Sequence, residues 1–295
     1  KRIPKSILEL YQSGFIGGVT FSSNGFYPCH VAVDYGMILR QGLQARYEEV
    51  LKRRDALDLY QIKNLDKYHY YTAMSISLDA VRRFSLRYAA LARRMAEEER
   101  DPVRQTELKE IARICAKVPW QSAETFHEAV QSVYMTWVAL IIESWGHGMT
   151  LGRPDQYLID FYLRDRAAGR ITREKAQELL ELWFVKVNGT VTLDDHDTAT
   201  CFAGFPQAVN ITLGGQDREG NCAVNELTYL LMAAEEKVGM TAEDLVIRVS
   251  ENSPYEYLLA ATRLAKSLKG KLKFVSDPVA IAQLLADGYP LELAP

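Results

Sequence analysis

The stretch "ESWGHGMTLGRPDQYL", residues 143–158, places His147 between two glycines directly after the apolar run "VQSVYMTWVALII". A lone histidine there reads either as a packed core or interface residue or as a ligand hand. Flanking glycines let a backbone and a ligand approach closely. The end of a helix also favours the charged imidazole. His30, in "GFYPCHVAVDYGMILRQGL", follows Pro28 and precedes a helix that starts near Asp34. It can hold a ligand, cap that helix, or simply bond Asp34 one turn on.

The cysteines, Cys29, Cys115, Cys201 and Cys222, form no Cys-x-x-Cys pair. Cys29 has no base to activate it, because adjacent His30 cannot easily face it. Cys115 falls on the apolar face of a helix and reads as core. None has metal-ligand spacing with the five histidines, so a zinc site is not expected. His196 lies among aspartates in "LDDHDTAT", where a metal reading competes with a solvated loop. His69 and His127 read as surface or packing residues. "NITLGGQDREGNCAVNEL" mimics a phosphate loop but carries neither common glycine fingerprint. Asp217 and Gly220 there read as turn residues.

The elements that must position these residues follow from periodicity. Residues 40–190 read as successive amphipathic helices, with apolar residues three and four apart. Asp101-Pro102 and Pro119 punctuate them. "SAETFHEAVQSVYMTWVALIIES" is a helix capped by Ser122 or a neighbour. "RPDQYLIDFYLRDRAAG" reads as one helix closed by Gly169, and Thr172 caps "TREKAQELLELWFVKVNG", with Lys175 and Glu178 on its exposed side. After residue 208 three β-branched runs, "AVNITLG", "DLVIRVS" and "KLKFVS", alternate with helices, the second helix capped by Ser253. Strand and helix repeated in this way require parallel pairing in an α/β sheet or barrel. The expected organisation is one fold, residues 1–207 mainly helical and 208–295 strand–helix repeats.

Composition narrows the function classes. The 295 residues are 48% hydrophobic, with 35 Lys+Arg against 38 Asp+Glu. A net charge of −3 gives no electrostatic footprint for nucleic acid or an anionic membrane. No uncharged apolar run reaches the roughly 20 residues a bilayer requires, and the N-terminus lacks signal-peptide grammar. Unpaired cysteines in such a chain point to a cytoplasmic location.

Several stretches together resemble the glycyl radical enzymes, the pyruvate formate-lyase-like group. They are "CAKVPWQSAETFHEAVQSVYMTW", "GHGMTLGRPDQYLIDFYLRDRAAGRITREKAQELLE", "NITLGGQDREGNCAVNELTYLLMAA" and "VIRVSENSP". They stand in the family's order from about residue 28 onward. The resemblance implies a ten-stranded α/β barrel of two parallel halves wrapped by helices, with this chain supplying the helical layer and the first half. It also implies that the thiyl cysteine loop and the radical glycine lie downstream of Pro295, so that the piece alone is inactive and holds no catalytic residue. The radical would be installed by a separate activating enzyme that uses an iron–sulfur cluster and S-adenosylmethionine. A homodimer and anaerobic metabolism are implied as well.

His30 and His147 set the subgroup. Pyruvate formate-lyase proper carries at the first position an arginine that grips the substrate carboxylate, and histidine cannot reproduce that bidentate contact. Glycerol and diol dehydratase-like members carry histidines at both positions, the second followed by serine. The resemblance therefore implies a dehydratase or lyase performing radical elimination on a small polar substrate, bound by His30, His147 and Gly148. Gly148 departs from the serine. Losing that hydroxyl removes about 0.5–1.5 kcal/mol of hydrogen bonding and enlarges the pocket. "SLKGKLKFVSD" and Cys222-Ala223 depart too, from a Gly-x-Gly-x-Pro run and from an aspartate. The rivals are a formate acetyltransferase, an arylacetate decarboxylase or alkylsuccinate synthase, and an inactive fragment or helical binding module.

Overall fold

The structure, a computed structural model, describes residues 31–144, 148–190, 200, 209–241 and 243–291. Helix α1 spans Tyr35–Asp55, is capped by the Asp34 side chain and is kinked at Gly42. Helices α2 (Leu65–Glu98) and α3 (Pro102–Lys117) form a hairpin. Its turn is set by Asp101, whose carboxylate accepts from Val103 N at 2.9 Å just ahead of Pro102. The stripe Ser85, Ala89, Ala92 and Ala96 is buried on α2, and these small side chains let the paired helices approach closely.

Helix α4 (Phe126–Ser144) is the central wall. Phe126, Ala129, Val130, Val133, Trp137 and Ile141 are all buried on it, the three-and-four spacing of one helical face. Its cap is Thr125, whose hydroxyl accepts from Glu128 N at 3.2 Å, within the polar stretch of Ser122 and its neighbours expected to supply it. The segment expected as one helix after Arg153 breaks into α5 (Pro154–Tyr157) and α6 (Ile159–Ala167). Helix α7 (Arg173–Asn188) is capped by Thr172 as expected, and Lys175 meets Glu178 at 2.9 Å on its exposed side.

The strands β1 (Val209–Gly214), β2 (Glu243–Val249) and β3 (Lys273–Ser276) pair in parallel in the order β1-β2-β3. Helices α8 (Glu226–Val238) and α9 (Tyr255–Ser267) make the crossovers and α10 (Asp277–Ala286) follows β3. Ser253 does not cap α9. Pro254 takes that position, and the Ser253 hydroxyl accepts from Ser250 N at 2.9 Å. Val209, Ile211, Leu213, Leu245 and Ile247 are fully buried against the helices, while Asn210, Thr212, Val246 and Arg248 alternate to the other, half-buried face.

The sheet reaches further than its regular strands. Gly152 pairs in parallel with Ile211, and Ala32 in parallel with Thr150. Segments 31–33 and 149–152 therefore extend the sheet beyond β1, giving five parallel segments side by side. This is the partial α/β barrel that the resemblance implies.

Buried charges clamp the helical layer. Glu128 is 1% exposed and meets Arg113 at 2.7 Å, Lys117 at 2.8 Å and the Glu124 N–H at 2.8 Å. Burial pushes its carboxyl up, but these donors outweigh burial and hold it at about 2. A carboxyl depressed in the folded state stabilises it above the unfolded value and loses that contribution as pH falls through the folded one. The window here runs from about 4.5 down to about 2. Glu128→Gln should therefore be less stable than the unsubstituted chain at pH 7. That gap should close through the window when unfolding is followed by circular dichroism against pH. A gap constant with pH would rule the assignment out.

Candidate functional site

The site is built on segment 148–152 and its neighbour 31–33. Gly148 is buried with φ 74 and Gly152 has φ 65, the left-handed region that glycine enters without penalty. These turns interrupt regular ladder pairing at both ends of the segment, yet its buried carbonyls need donors. Side chains supply them. Trp137 Nε1 donates to Met149 O at 2.8 Å, Tyr35 Oη to Thr150 O at 3.3 Å and Tyr157 Oη to Leu151 O at 2.8 Å. Thr212 N donates to Gly152 O at 2.8 Å, and Leu151 N donates back to Asn210 O at 3.0 Å.

His30 and His147 lie outside the described residues, as do Cys29, His196 and Cys201. The residues immediately after the two histidines are described. The Ala32–Thr150 pairing runs the continuation of His30 parallel to the continuation of His147. Cys115 is buried as expected, and burial pushes its thiol up to about 11. His127 is half-buried and held below the ordinary histidine value by burial, whereas His69 is exposed. Among the described residues, no group of three or more His, Cys, Asp or Glu could hold a metal ion.

The motif residues that carry the family resemblance form a buried knot at the far ends of the strands. Asp155 is fully buried and its Oδ2 accepts from Gly214 N at 2.8 Å and Thr228 Oγ1 at 2.8 Å. Burial pushes that carboxyl above the ordinary range. Arg153 Nη2 donates to Gly214 O at 2.8 Å and Gln216 O at 3.1 Å. Asn225 caps α8 and donates to Asp155 O at 2.9 Å. The stretch that follows Gly214-Gly215 is a turn over residues 217–221: Asp217 Oδ1 accepts from Glu219 N at 3.0 Å and Asn221 N at 2.8 Å. Arg153, Asp155 and Asn225 thus act as ties between elements. The sequence marks them by their Arg-Pro-Asp and Asn-Glu-Leu settings, but not the partners about 60 to 70 residues away.

The profile of the family described as pyruvate formate lyase-like matches residues 1–295. The chain is 32% identical over 283 residues to a (2S)-3-sulfopropanediol dehydratase of Klebsiella oxytoca, covering 95% of this chain and 34% of that one. It is 36% identical over 258 residues to an isethionate sulfite-lyase of Nitratidesulfovibrio vulgaris, covering 86% and 31%. It superposes with a TM-score of 0.86, at 36% identity, on a solved structure concerned with 1,2-propanediol dehydration in Roseburia inulinivorans. The match covers 90% of this chain and 32% of that one. The chain thus spans about a third of the length of the relatives it matches.

Proposed function

Because this chain belongs to the pyruvate formate lyase-like family, we propose that it is the helical layer and first half-barrel of a glycyl radical lyase or dehydratase acting on a small polar substrate. The observation that carries the reading is the parallel pairing of Ala32 with Thr150. It supports a site to which His30 and His147 both contribute, because the described segments that follow them in sequence, 31–33 and 149–152, run side by side. The relatives named above act on small polar molecules, which supports the same class.

In this reading a cysteine thiyl, from the part of the protein beyond Pro295, takes a hydrogen atom from substrate carbon. His30 and His147 orient the substrate oxygen or nitrogen and protonate the leaving group as its bond to carbon breaks, while the polar group on the radical carbon gives up a proton that restores the histidine and leaves a neutral product radical. The product radical then takes the hydrogen atom back from the cysteine thiol. The radical glycine, a homodimeric state, the cytoplasmic location and an activating enzyme using an iron–sulfur cluster belong to the same proposal. None of them requires a metal on this chain.

Gly148 sets the pocket. With φ 74, an L side chain there would be strained by roughly 1–2 kcal/mol, and its missing hydroxyl leaves the substrate one donor fewer. The test uses the complete protein, activated anaerobically, with 1,2-propanediol, glycerol and isethionate as substrates. A glycyl radical signal in electron paramagnetic resonance and elimination from at least one of them is the expected result. Gly148→Ser should raise the turnover ratio of glycerol to 1,2-propanediol by about two- to tenfold, the equivalent of one hydrogen bond. Acetyl transfer from pyruvate to coenzyme A, with all three compounds untouched, would overturn the reading.

A further inference from the structure

We infer that Tyr35, Trp137 and Tyr157 are positioning residues that hold segment 148–152, and through it His147 and Gly148, in register with the segment that continues from His30. The inference rests on the reading in which those histidines touch substrate.

The geometry is specific. Between the left-handed Gly148 and Gly152, the carbonyls of Met149, Thr150 and Leu151 are taken in sequence by Trp137, Tyr35 and Tyr157. Each donor comes from a different helix: Trp137 from α4, Tyr35 from the first turn of α1, and Tyr157 from α5. A ladder would have fixed this segment with backbone alone. Here two backbone bonds to β1, through Leu151 N and Gly152 O, are joined by three side-chain donors, so its placement depends also on where these helices stand. Trp137 is 0% exposed and Tyr35 2%. The rings of Tyr35 and Tyr157 pack 5.6 Å apart, so the two phenols cannot move independently. Burial holds both phenols above the ordinary tyrosine value, so both remain donors at any working pH.

Tyr35 has a second consequence. It opens the helix next to segment 31–33, while its hydroxyl reaches Thr150. It therefore ties the continuation of His30 to the continuation of His147, in parallel with the Ala32–Thr150 pairing. Thr150 is also fixed from β1, its Oγ1 donating to Asn210 O at 2.8 Å and accepting from Gly152 N at 2.9 Å. Trp137 sits two turns before the end of α4 and grips the second residue after His147. A shift of about 1 Å in such a supporting contact is enough to cost a site about a hundredfold in rate.

The test removes the donor atoms, keeping the ring in the two tyrosine variants and leaving the smaller phenyl at Trp137. Tyr35→Phe, Tyr157→Phe and Trp137→Phe are made in the complete enzyme labelled at histidine Cε1, with His30 and His147 signals assigned by their glutamine substitutions. Tyr157→Phe and Trp137→Phe should shift or split the His147 signal, and Tyr35→Phe those of both His30 and His147. His69, exposed on α2, should stay in place. With 1,2-propanediol, or whichever compound the enzyme eliminates, the Tyr35→Phe, Tyr157→Phe double variant should lose about tenfold in kcat, with KM within about twofold. Unmoved His30 and His147 signals, or equal movement of all histidines including His69, would overturn the inference. Should Trp137→Phe fail to fold, the tyrosine variants decide it. The magnetic resonance readout needs no substrate. A shifted His147 beside turnover indifferent to both histidines would leave the clamp standing and remove the functional reading instead.

Discussion

With His30 and His147 both replaced by glutamine, the activated complete enzyme is expected to lose about two to four orders of magnitude in kcat, while its glycyl radical signal stays at full intensity. Glutamine keeps an amide that can donate a hydrogen bond, so substrate orientation survives in part. It cannot deliver a proton, and a positioned general acid contributes roughly 10²–10⁴-fold. The loss should therefore fall on kcat more than on KM, the pattern of an interaction made in the transition state. The single variants should each lose nearly as much as the pair, because residues that act as one unit are not additive. Full additivity would place the two histidines in separate roles, one holding substrate and the other transferring the proton. Turnover unchanged in the double variant would sink the proposed mechanism. The retained radical signal is the control that separates lost chemistry from failed activation.

Much of the scaffold around that site is legible in the residues themselves, and the physical reason is periodicity. The three-and-four spacing from Phe126 to Ile141 marks α4 because one face of it is wholly buried. Three β-branched runs alternating with helices require parallel strands, which is how β1, β2 and β3 pair. Segments 31–33 and 149–152 escape that reading, being too short and too close to Pro28, Gly148 and Gly152 to show alternation. Their pairing depends on partners far along the chain. Caps are less legible than helices. In the polar stretch of Ser122 and its neighbours several side chains could take the capping bond and packing chooses Thr125, whereas Pro254 holds the cap position of α9 with no side-chain bond where Ser253 is expected. The clamp donors carry no local mark. Trp137 is one more apolar residue of α4 until its N–H is seen on Met149 O. His147 is singled out by its flanking glycines and His30 by its place between Pro28 and a helix, the resemblance makes them a pair, and the described segments that follow them, 31–33 and 149–152, run side by side.

Replacing Asp277 by alanine is expected to destabilise the fold by about 3–5 kcal/mol, the range for leaving one partner of a buried pair uncompensated. Asp277 is 0% exposed, and its Oδ1 meets Arg248 Nε at 2.7 Å, with the arginine side chain only 11% exposed. Its Oδ2 accepts from Gln216 N at 2.8 Å. One carboxylate thus ties the end of β2, the turn after β1 and the first residue of α10. Gly215 belongs to the same tie, because a Cβ there would lie 2.7 Å from Asp277 Oδ2 and 2.8 Å from Arg248. Alanine leaves a largely buried guanidinium and a part-buried backbone N–H without their shared acceptor. Asp277→Asn keeps an acceptor for Gln216 N but no charge for Arg248, so it should fall between alanine and the unsubstituted chain. Pairing Asp277→Ala with Arg248→Met removes both charges and should recover most of the loss. Lys175→Ala, which breaks an ion pair whose two side chains are each about half exposed, should change stability by less than about 1 kcal/mol. Urea midpoints at constant m-value decide the matter. An Asp277→Ala loss no larger than that of Lys175→Ala would mean that the strand ends are held by other ties, those of Asp155, Arg153 and the Tyr257 hydroxyl on Leu213 O and Arg248 O among them, and that the Arg248 pair is dispensable to the half-barrel.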